Sequence, residues 1–388
     1  MDFVGIITEY DPFHNGHAAQ LTAVRQAGAQ CIAVCMSAGA VQRGGVPILP
    51  ETVRVQAALA AGADLVVALP APYACTTAEQ FAAAGVSILT ALGCDTLAFG
   101  AETPDAVRLL EAAQLLQGTK IQALIREKLA DGVTYAVARA QAAAQLAPET
   151  EELLRSPNNI LGVEYCKAIL RQKADLQPFP LPRWGAAHGG EAGMHNGIPM
   201  ASASDLRSRP LAEWRPFVPQ AAMELYQCAA QQGQLLDPAK LETALLTLLR
   251  AMPEEKFAQI RGISEGLEHR LAAAVRGAQG LEDLYTRLKT KRYPHARLRR
   301  LVLDAALGMP STLPDPPFLL VLGAKKEALP RLKSASLPAG TSLADLMRSG
   351  PSAQKVGELH SRAVDFSSLC REKISPMGLA FTTKLVVL

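Results

Sequence analysis

Aromatic residues make up 5% of this 388-residue chain and charged residues 19%. Few aromatics argue against a β-sandwich, and a 49% hydrophobic fraction dominated by alanine and leucine favours helices and α/β layers. So little charge beside so much apolar surface excludes a disordered chain. The net charge of +3 excludes a strongly polyanionic or polycationic protein, although a modest total can conceal a basic face. The seven cysteines form no C-x-x-C pair and sit in apolar stretches such as CIAVCMS, so they read as buried reduced thiols. The seven histidines lack zinc spacing, and no metal-binding residues are expected. Asp, Glu, Gln or Pro interrupt the apolar stretches before they reach bilayer length, and no basic n-region or cleavage site follows Met1. A cytoplasmic protein with no membrane partner is expected. The phosphate loop G-x-x-x-x-G-K-[ST], the dinucleotide fingerprint G-x-G-x-x-G and internal repeats are all missing.

What the chain does have is strand–helix alternation. Residues 3–8, 31–36, 64–69 and 96–99 are short apolar runs that read as strands, separated by helical patterns over 17–28, 54–61 and 77–92 that end at Gly28, Gly62 and Gly93. Such alternation predicts a parallel sheet covered on both faces, with ligands at the carboxyl ends of its strands. Helical patterns follow over 105–155, 159–171 and 201–214. Residues 178–200, rich in Pro and Gly, read as a loop, and 218–307 as all-helical. Pro310, Pro314, Pro316 and Pro317 mark a linker. Beyond it 318–323 reads as a strand, 339–348 as a helix and 379–388 as one or two strands. The expected architecture is α/β: a Rossmann-like parallel-sheet domain over 1–215, a helical domain over 216–309 and a small C-terminal α/β unit over 310–388. Nothing in the sequence fixes an oligomeric state.

The chemistry concentrates in the first strand-to-helix connection, Thr8-Glu9-Tyr10-Asp11-Pro12-Phe13-His14-Asn15-Gly16-His17. It carries H-x-G-H at the start of a helix, where unpaired N–H groups and partial positive charge favour phosphate. Gly16 permits close approach of a nucleotide to the backbone. Imidazoles at His14 and His17 can donate to phosphate oxygens, and phosphoryl-centred displacement needs mainly positioning and charge stabilisation. Two histidines that merely cap the helix are the plainer alternative.

The segments GIITEYDPFHNGH, VQRG (41–44), GADLVVALP (62–70), FGAE (99–102), SPNNILGVEY (156–165), SASDLR (202–207) and KTKRY (289–293) occur in the order seen in one family. The chain resembles the tRNA(Met) cytidine acetate ligases, bacterial members of the HIGH-motif nucleotidyltransferase-like superfamily. The resemblance covers about residues 3–300. It implies that ATP and acetate give acetyl-adenylate and pyrophosphate, and that the acetyl group then passes to N4 of the wobble cytidine of elongator tRNA(Met), giving N4-acetylcytidine. It also implies catalytic roles for His14 and His17 and an ATP site comprising Ile7, Thr8, Glu9, Tyr10, Pro12, Phe13, His14, Asn15, Gly16, His17, Gly100, Asn158 or Asn159, Arg183, Ser202, Ser204 and Arg207. Mg²⁺ is expected with the ATP. Arg54 is a weaker phosphate candidate.

The basic run Lys289, Lys291, Arg292, Arg297, Arg299 and Arg300, together with Arg43, is the expected tRNA contact, with Tyr293 available for stacking. Three departures from the family pattern stand out. Asp11 replaces a usual asparagine, SAGAV (37–41) lacks bulky and polar residues, and Glu51-Thr-Val-Arg replaces a Lys-x-Trp-Arg-like pattern. Two further readings use the same residues: a nucleotidyltransferase acting on a small phosphate-bearing metabolite, and a non-catalytic ATP- or RNA-binding protein.

Overall fold

The computed structural model describes residues 1–183, 193–264, 266–290 and 293–388. A central sheet is built on β1 (Phe3–Thr8), β2 (Cys31–Ser37), β3 (Leu65–Leu69), β4 (Thr96–Ala101) and β5 (Gln177–Pro182). Its order is 3-2-1-4-5, all parallel, so the winding reverses between β1 and β4. That reversal leaves a crevice at the carboxyl ends of β1 and β4. Side chains alternate between the faces. Phe3 and Ile7, Cys31 and Cys35, and Leu65 and Val67 enter one core, while Val4 and Ile6, Ile32 and Val34, and Val66 enter the other. Both faces are covered, which is why these strands read as unbroken apolar runs.

The loop expected over 178–200 is partly strand. β5 pairs along the whole of β4, and a hairpin joins β6 (Gly193–His195) to β7 (Ile198–Met200). Alternation explains how β5 tolerates Pro178, Pro180 and Pro182. The odd-numbered residues turn their N–H groups to β4, as Gln177 N does to Asp95 O at 2.9 Å, and the prolines fall on the outer, unpaired edge.

The C-terminal segment forms no sheet of its own. β8 (Leu319–Ala324) adds antiparallel to β3, with β9 (Ala339–Gly340) and β10 (Val386–Val387) beside it. Residues 379–382, expected as strand, form a short helix, because the Asp365 carboxylate accepts from Gly378 N (2.8 Å) and Leu379 N (3.3 Å) at its start.

The helices from Pro238–Ala251 to His295–Leu307 share a separate core, to which Leu359, Ala363 and Phe366 of the helix Pro351–Leu369 contribute. The earlier helix Gln220–Gln231 packs instead on Glu51–Ala60 beside the sheet. Arg261 seats the helical layer. It pairs with Asp304 and donates to Pro72 O (2.6 Å) and Cys75 O (2.7 Å).

A second junction is the turn Val41–Gly45 against the helix His295–Leu307. Gly44 has φ +82°, and a Cβ there would lie 2.3 Å from Arg300 N. Both the backbone conformation and the space demand glycine. Gly44→Ala is expected to cost about 1–3 kcal/mol, read as a lowered denaturation midpoint; an unchanged midpoint contradicts this close approach.

Candidate active site

β1 ends at Thr8, and the connection after it folds back under two constraints. Tyr226 Oη donates to Phe13 O at 2.8 Å, and Arg54, fully buried, donates to Glu9 O (2.7 Å) and Ser37 O (2.8 Å). Arg54 therefore ties the ends of β1 and β2 together rather than facing a phosphate. The helix that follows, Asn15–Gln26, begins two residues before the sequence pattern suggests, because His14 is its N-cap.

The two histidines cap reciprocally. His14 Nδ1 accepts from Gly16 N (3.1 Å), and His17 Nδ1 accepts from His14 N (3.3 Å). A ring nitrogen that accepts a backbone N–H carries no proton, so each neutral ring carries its proton on Nε2. The rings stack with centroids 3.7 Å apart. Burial, and then the charges of Arg183 and Arg207, lower His14 to about 3. Burial, His14 and Arg183 lower His17 as well. The pair thus presents two neutral donors, held by a helix start.

These donors face a cavity of about 300 Å³ at the sheet's switch point. Ile7, Thr8, Glu9, Tyr10, His14, His17, Arg43, Asn158, Arg183, Ser202, Ser204 and Arg207 all line it. Six expected residues do not. Pro12 and Phe13 are buried, Phe13 against Tyr10 with ring centroids 4.8 Å apart. Asn15 Nδ2 donates to Pro199 O (2.9 Å) and Pro216 O (3.0 Å). Gly16 spends its N–H on His14. Gly100 makes room for Arg183, whose Cγ would be 3.3 Å from a Cβ at that position. Asn159 is 1% exposed and is committed to Thr103, accepting from its N (2.9 Å) and donating to its Oγ1 (3.1 Å).

Sequence reasoning missed Glu102 as an organiser. Its carboxylate accepts from Asn159 N (2.8 Å), Asn158 N (3.3 Å) and Asn158 Nδ2 (2.6 Å), and lies 3.8 Å from Arg183 Nη1. Its place in FGAE, facing a helix start, is the available signal. Also missed were the apolar walls Phe81, Ile160, Leu161 and Tyr165, the last three on one face of the helix Pro157–Gln172.

The cavity's acids are engaged. Glu9 Oε1 accepts from Gln42 N (2.6 Å), and Asp11 Oδ1 accepts from Ile48 N (2.7 Å). Arg207 donates to Asp11 O and lies 3.5 Å from the Asp11 carboxylate. No cluster of three potential metal ligands exists among the described residues.

The basic run is divided. Lys291 and Arg292 lie outside the described residues, while Lys289 and Arg299 are exposed. Arg297 covers the Tyr293 ring at 4.4 Å and donates to Ser264 Oγ at 3.0 Å. Tyr293 is thereby buried and not free to stack on RNA. Arg300 turns inward to Gln42 O at 3.4 Å. No helix among the described residues is long and apolar enough to cross a membrane.

A profile of the family described as HIGH Nucleotidyl Transferase matches residues 1–377. Relatives named tRNA(Met) cytidine acetate ligase include one from Anoxybacillus flavithermus, 35% identical over 78% of this chain and 76% of its own. Another, from a Thermoanaerobacter species, is 32% identical over 100% of both chains. Among solved structures, apo Thermotoga maritima TmcAL superposes with a TM-score of 0.91 at 25% identity over 100% of both chains. The same protein bound with α-thio ATP gives a TM-score of 0.89.

Two expectations follow. Adenylation measured by ATP–pyrophosphate exchange shows no histidine titration between about pH 5.5 and 8, because His14 is already neutral there; an ionisation near 6.5 that vanishes in His14→Gln contradicts the depressed value. The same shift makes stability pH-dependent. Nothing is lost above the unfolded value of 6.5, and stability falls as pH drops toward the folded value of about 3. Second, the two asparagines separate. Asn159→Ala costs about 1–3 kcal/mol of stability, whereas Asn158→Ala leaves stability nearly unchanged and weakens ATP binding; denaturant melts and ATP titrations of both variants decide this, and the reverse pattern refutes the assignment.

Proposed function

The chain belongs to the tRNA(Met) cytidine acetate ligase family of HIGH nucleotidyl transferases, and we propose that it condenses ATP with acetate to acetyl-adenylate, then transfers the acetyl group to N4 of the wobble cytidine of elongator tRNA(Met). The observation that carries the reading is the pair of Nε2–H donors at His14 and His17, fixed by a helix start and flanked by Arg183 and Arg207 in one cavity. The α-thio ATP bound by the Thermotoga maritima neighbour supports ATP as the nucleotide.

In this mechanism an acetate oxygen attacks the α-phosphorus. The bond from that phosphorus to the bridging oxygen breaks, and pyrophosphate leaves. Negative charge grows on the α-phosphate and bridging oxygens, where the two imidazole donors stabilise it more in the transition state than in the ground state. Neutral rings suit the task because each keeps its proton and requires no solvent rearrangement. Arg183 and Arg207 hold the triphosphate. In the second half-reaction the cytidine amine attacks the acetyl carbon, the bond to AMP breaks, AMP leaves and one amine proton is released. The mixed anhydride is already reactive, so positioning carries this step. Lys289 and Arg299 take RNA phosphates.

Incubating the protein with ATP, Mg²⁺, labelled acetate and bulk bacterial tRNA is expected to place label in N4-acetylcytidine. A His14→Ala/His17→Ala variant should lose at least about 100-fold in rate. Intact ATP binding with no label in tRNA overturns the proposal.

A further inference from the structure

A second cavity, about 770 Å³ in volume, adjoins the nucleotide cavity and shares Gln42, Arg43 and Ala78 as a common wall. Gln42 holds that wall in place through three elements. Its N donates to Glu9 (2.6 Å), its Nε2 to Thr76 O (3.0 Å), and its O accepts from Arg300 (3.4 Å). Tyr135, 48% exposed at the start of the alanine-rich helix Tyr135–Leu146, also lines this cleft. One turn on, the Arg139 guanidinium carbon lies 5.9 Å from the Tyr135 ring centroid.

Arg139 is buried, with Nη1 3.5 Å from Glu164 Oε1, and its Nε has no hydrogen-bond partner among the described residues. Glu164 also binds Lys167 Nζ at 2.7 Å, so it is already neutralised. A buried donor left unpaired is costly, and a large aromatic ring left half in solvent contributes little to the core. Together they mark an unfilled site: a half-exposed ring with the Arg139 guanidinium over it, in a cleft to which Arg43, Arg297 and Arg300 also contribute.

We propose that this cleft receives the acceptor pyrimidine of the RNA, stacked on Tyr135 and read at its O2 and N3 by Arg139. The proposal rests on the tRNA-acylation reading above. A base must leave its stack to be modified, and unstacked loop bases are held by aromatic rings and edge hydrogen bonds. An arginine only donates. Cytosine offers acceptors at O2 and N3, whereas uracil presents N3–H, a second donor facing the first. Arg139 therefore favours cytosine and leaves the exocyclic amine uncommitted. The shared wall at Gln42 and Arg43 places the base next to the nucleotide.

The test uses the full chain. ATP–pyrophosphate exchange with acetate and no RNA reports folding and adenylation, and is expected to be unchanged in Tyr135→Ala. The KM for tRNA in acetyl transfer should rise about 5- to 100-fold in Tyr135→Ala and recover in Tyr135→Trp. Arg139→Lys, which keeps the charge but loses the fork, should relax the preference for an anticodon stem-loop with cytidine over one with uridine at the wobble position. A readout independent of catalysis is irradiation of a stem-loop carrying 5-iodocytidine at that position, which should crosslink to Tyr135. If the protein neither adenylates nor acylates but the crosslink forms, the function reading falls and the base site stands. A crosslink elsewhere, or none, overturns the base site whatever the enzymology, as does wild-type transfer by Tyr135→Ala.

Discussion

The first turn of a helix leaves backbone N–H groups without partners, and in this protein two imidazole rings accept two of them. Much of the candidate site depends on that exchange. Because His14 Nδ1 and His17 Nδ1 are acceptors, the tautomer of each ring is settled before any ligand arrives. Because the rings stack at 3.7 Å in a buried position beside two arginines, protonating either is unfavourable. A helix cap and a phosphate clamp are usually alternative uses of a side chain. Here the ring has two nitrogens, and each use takes one. Reading these histidines as caps and reading them as catalytic donors are therefore compatible, and the first supplies the geometry that the second requires.

Around the cap lies a set of buried and half-buried charges whose partners are mostly main-chain groups. Arg54 binds carbonyls of β1 and β2, Glu9 and Asp11 accept from the 42–48 segment, and Arg207 reaches back to Asp11. Each such group is expensive to bury unpaired and cheap once paired. The cavity wall is thus specified by polar satisfaction rather than by apolar packing alone. Asp11 fits this logic. Its carboxylate accepts the Ile48 N–H and faces Arg207, an acceptor role that positions loops.

How much of this was legible follows the range of the interactions. β1 to β4 and the H-x-G-H helix start are local patterns, and the sheet forms as the alternation implies. β5 was hidden because Pro-x-Pro-x-Pro resembles loop unless one knows that its outer edge is free. β8 was readable as a strand but not as the partner of β3, since pairing across more than 250 residues leaves no local trace. Asn158 and Asn159 are adjacent and chemically identical in sequence. Only Thr103 and Glu102, more than 50 residues away, divide them into a structural and a cavity-facing residue. The basic run suggested one uniform surface, yet helical geometry turns Arg300 inward and leaves Arg299 outside.

The C-terminal segment, which carries no motif of the active site, nonetheless reaches it through hydrogen bonds. Arg371, just past the helix Pro351–Leu369, donates to Ile48 O at 2.8 Å; Ile48 N donates to the Asp11 carboxylate, and Asp11 O accepts from Arg207 in the cavity wall. Arg371 is itself buried and donates to Ser367 Oγ at 2.9 Å, so it cannot relax toward solvent if its helix shifts. β8 adds to the free edge of β3, protecting it from other pairing. Covering that edge and bracing the 42–48 loop are done by one stretch of chain. A phosphate site that works by preorganised donors tolerates little movement in the loops that carry them, and in this fold Arg371 fastens the loop that follows β2.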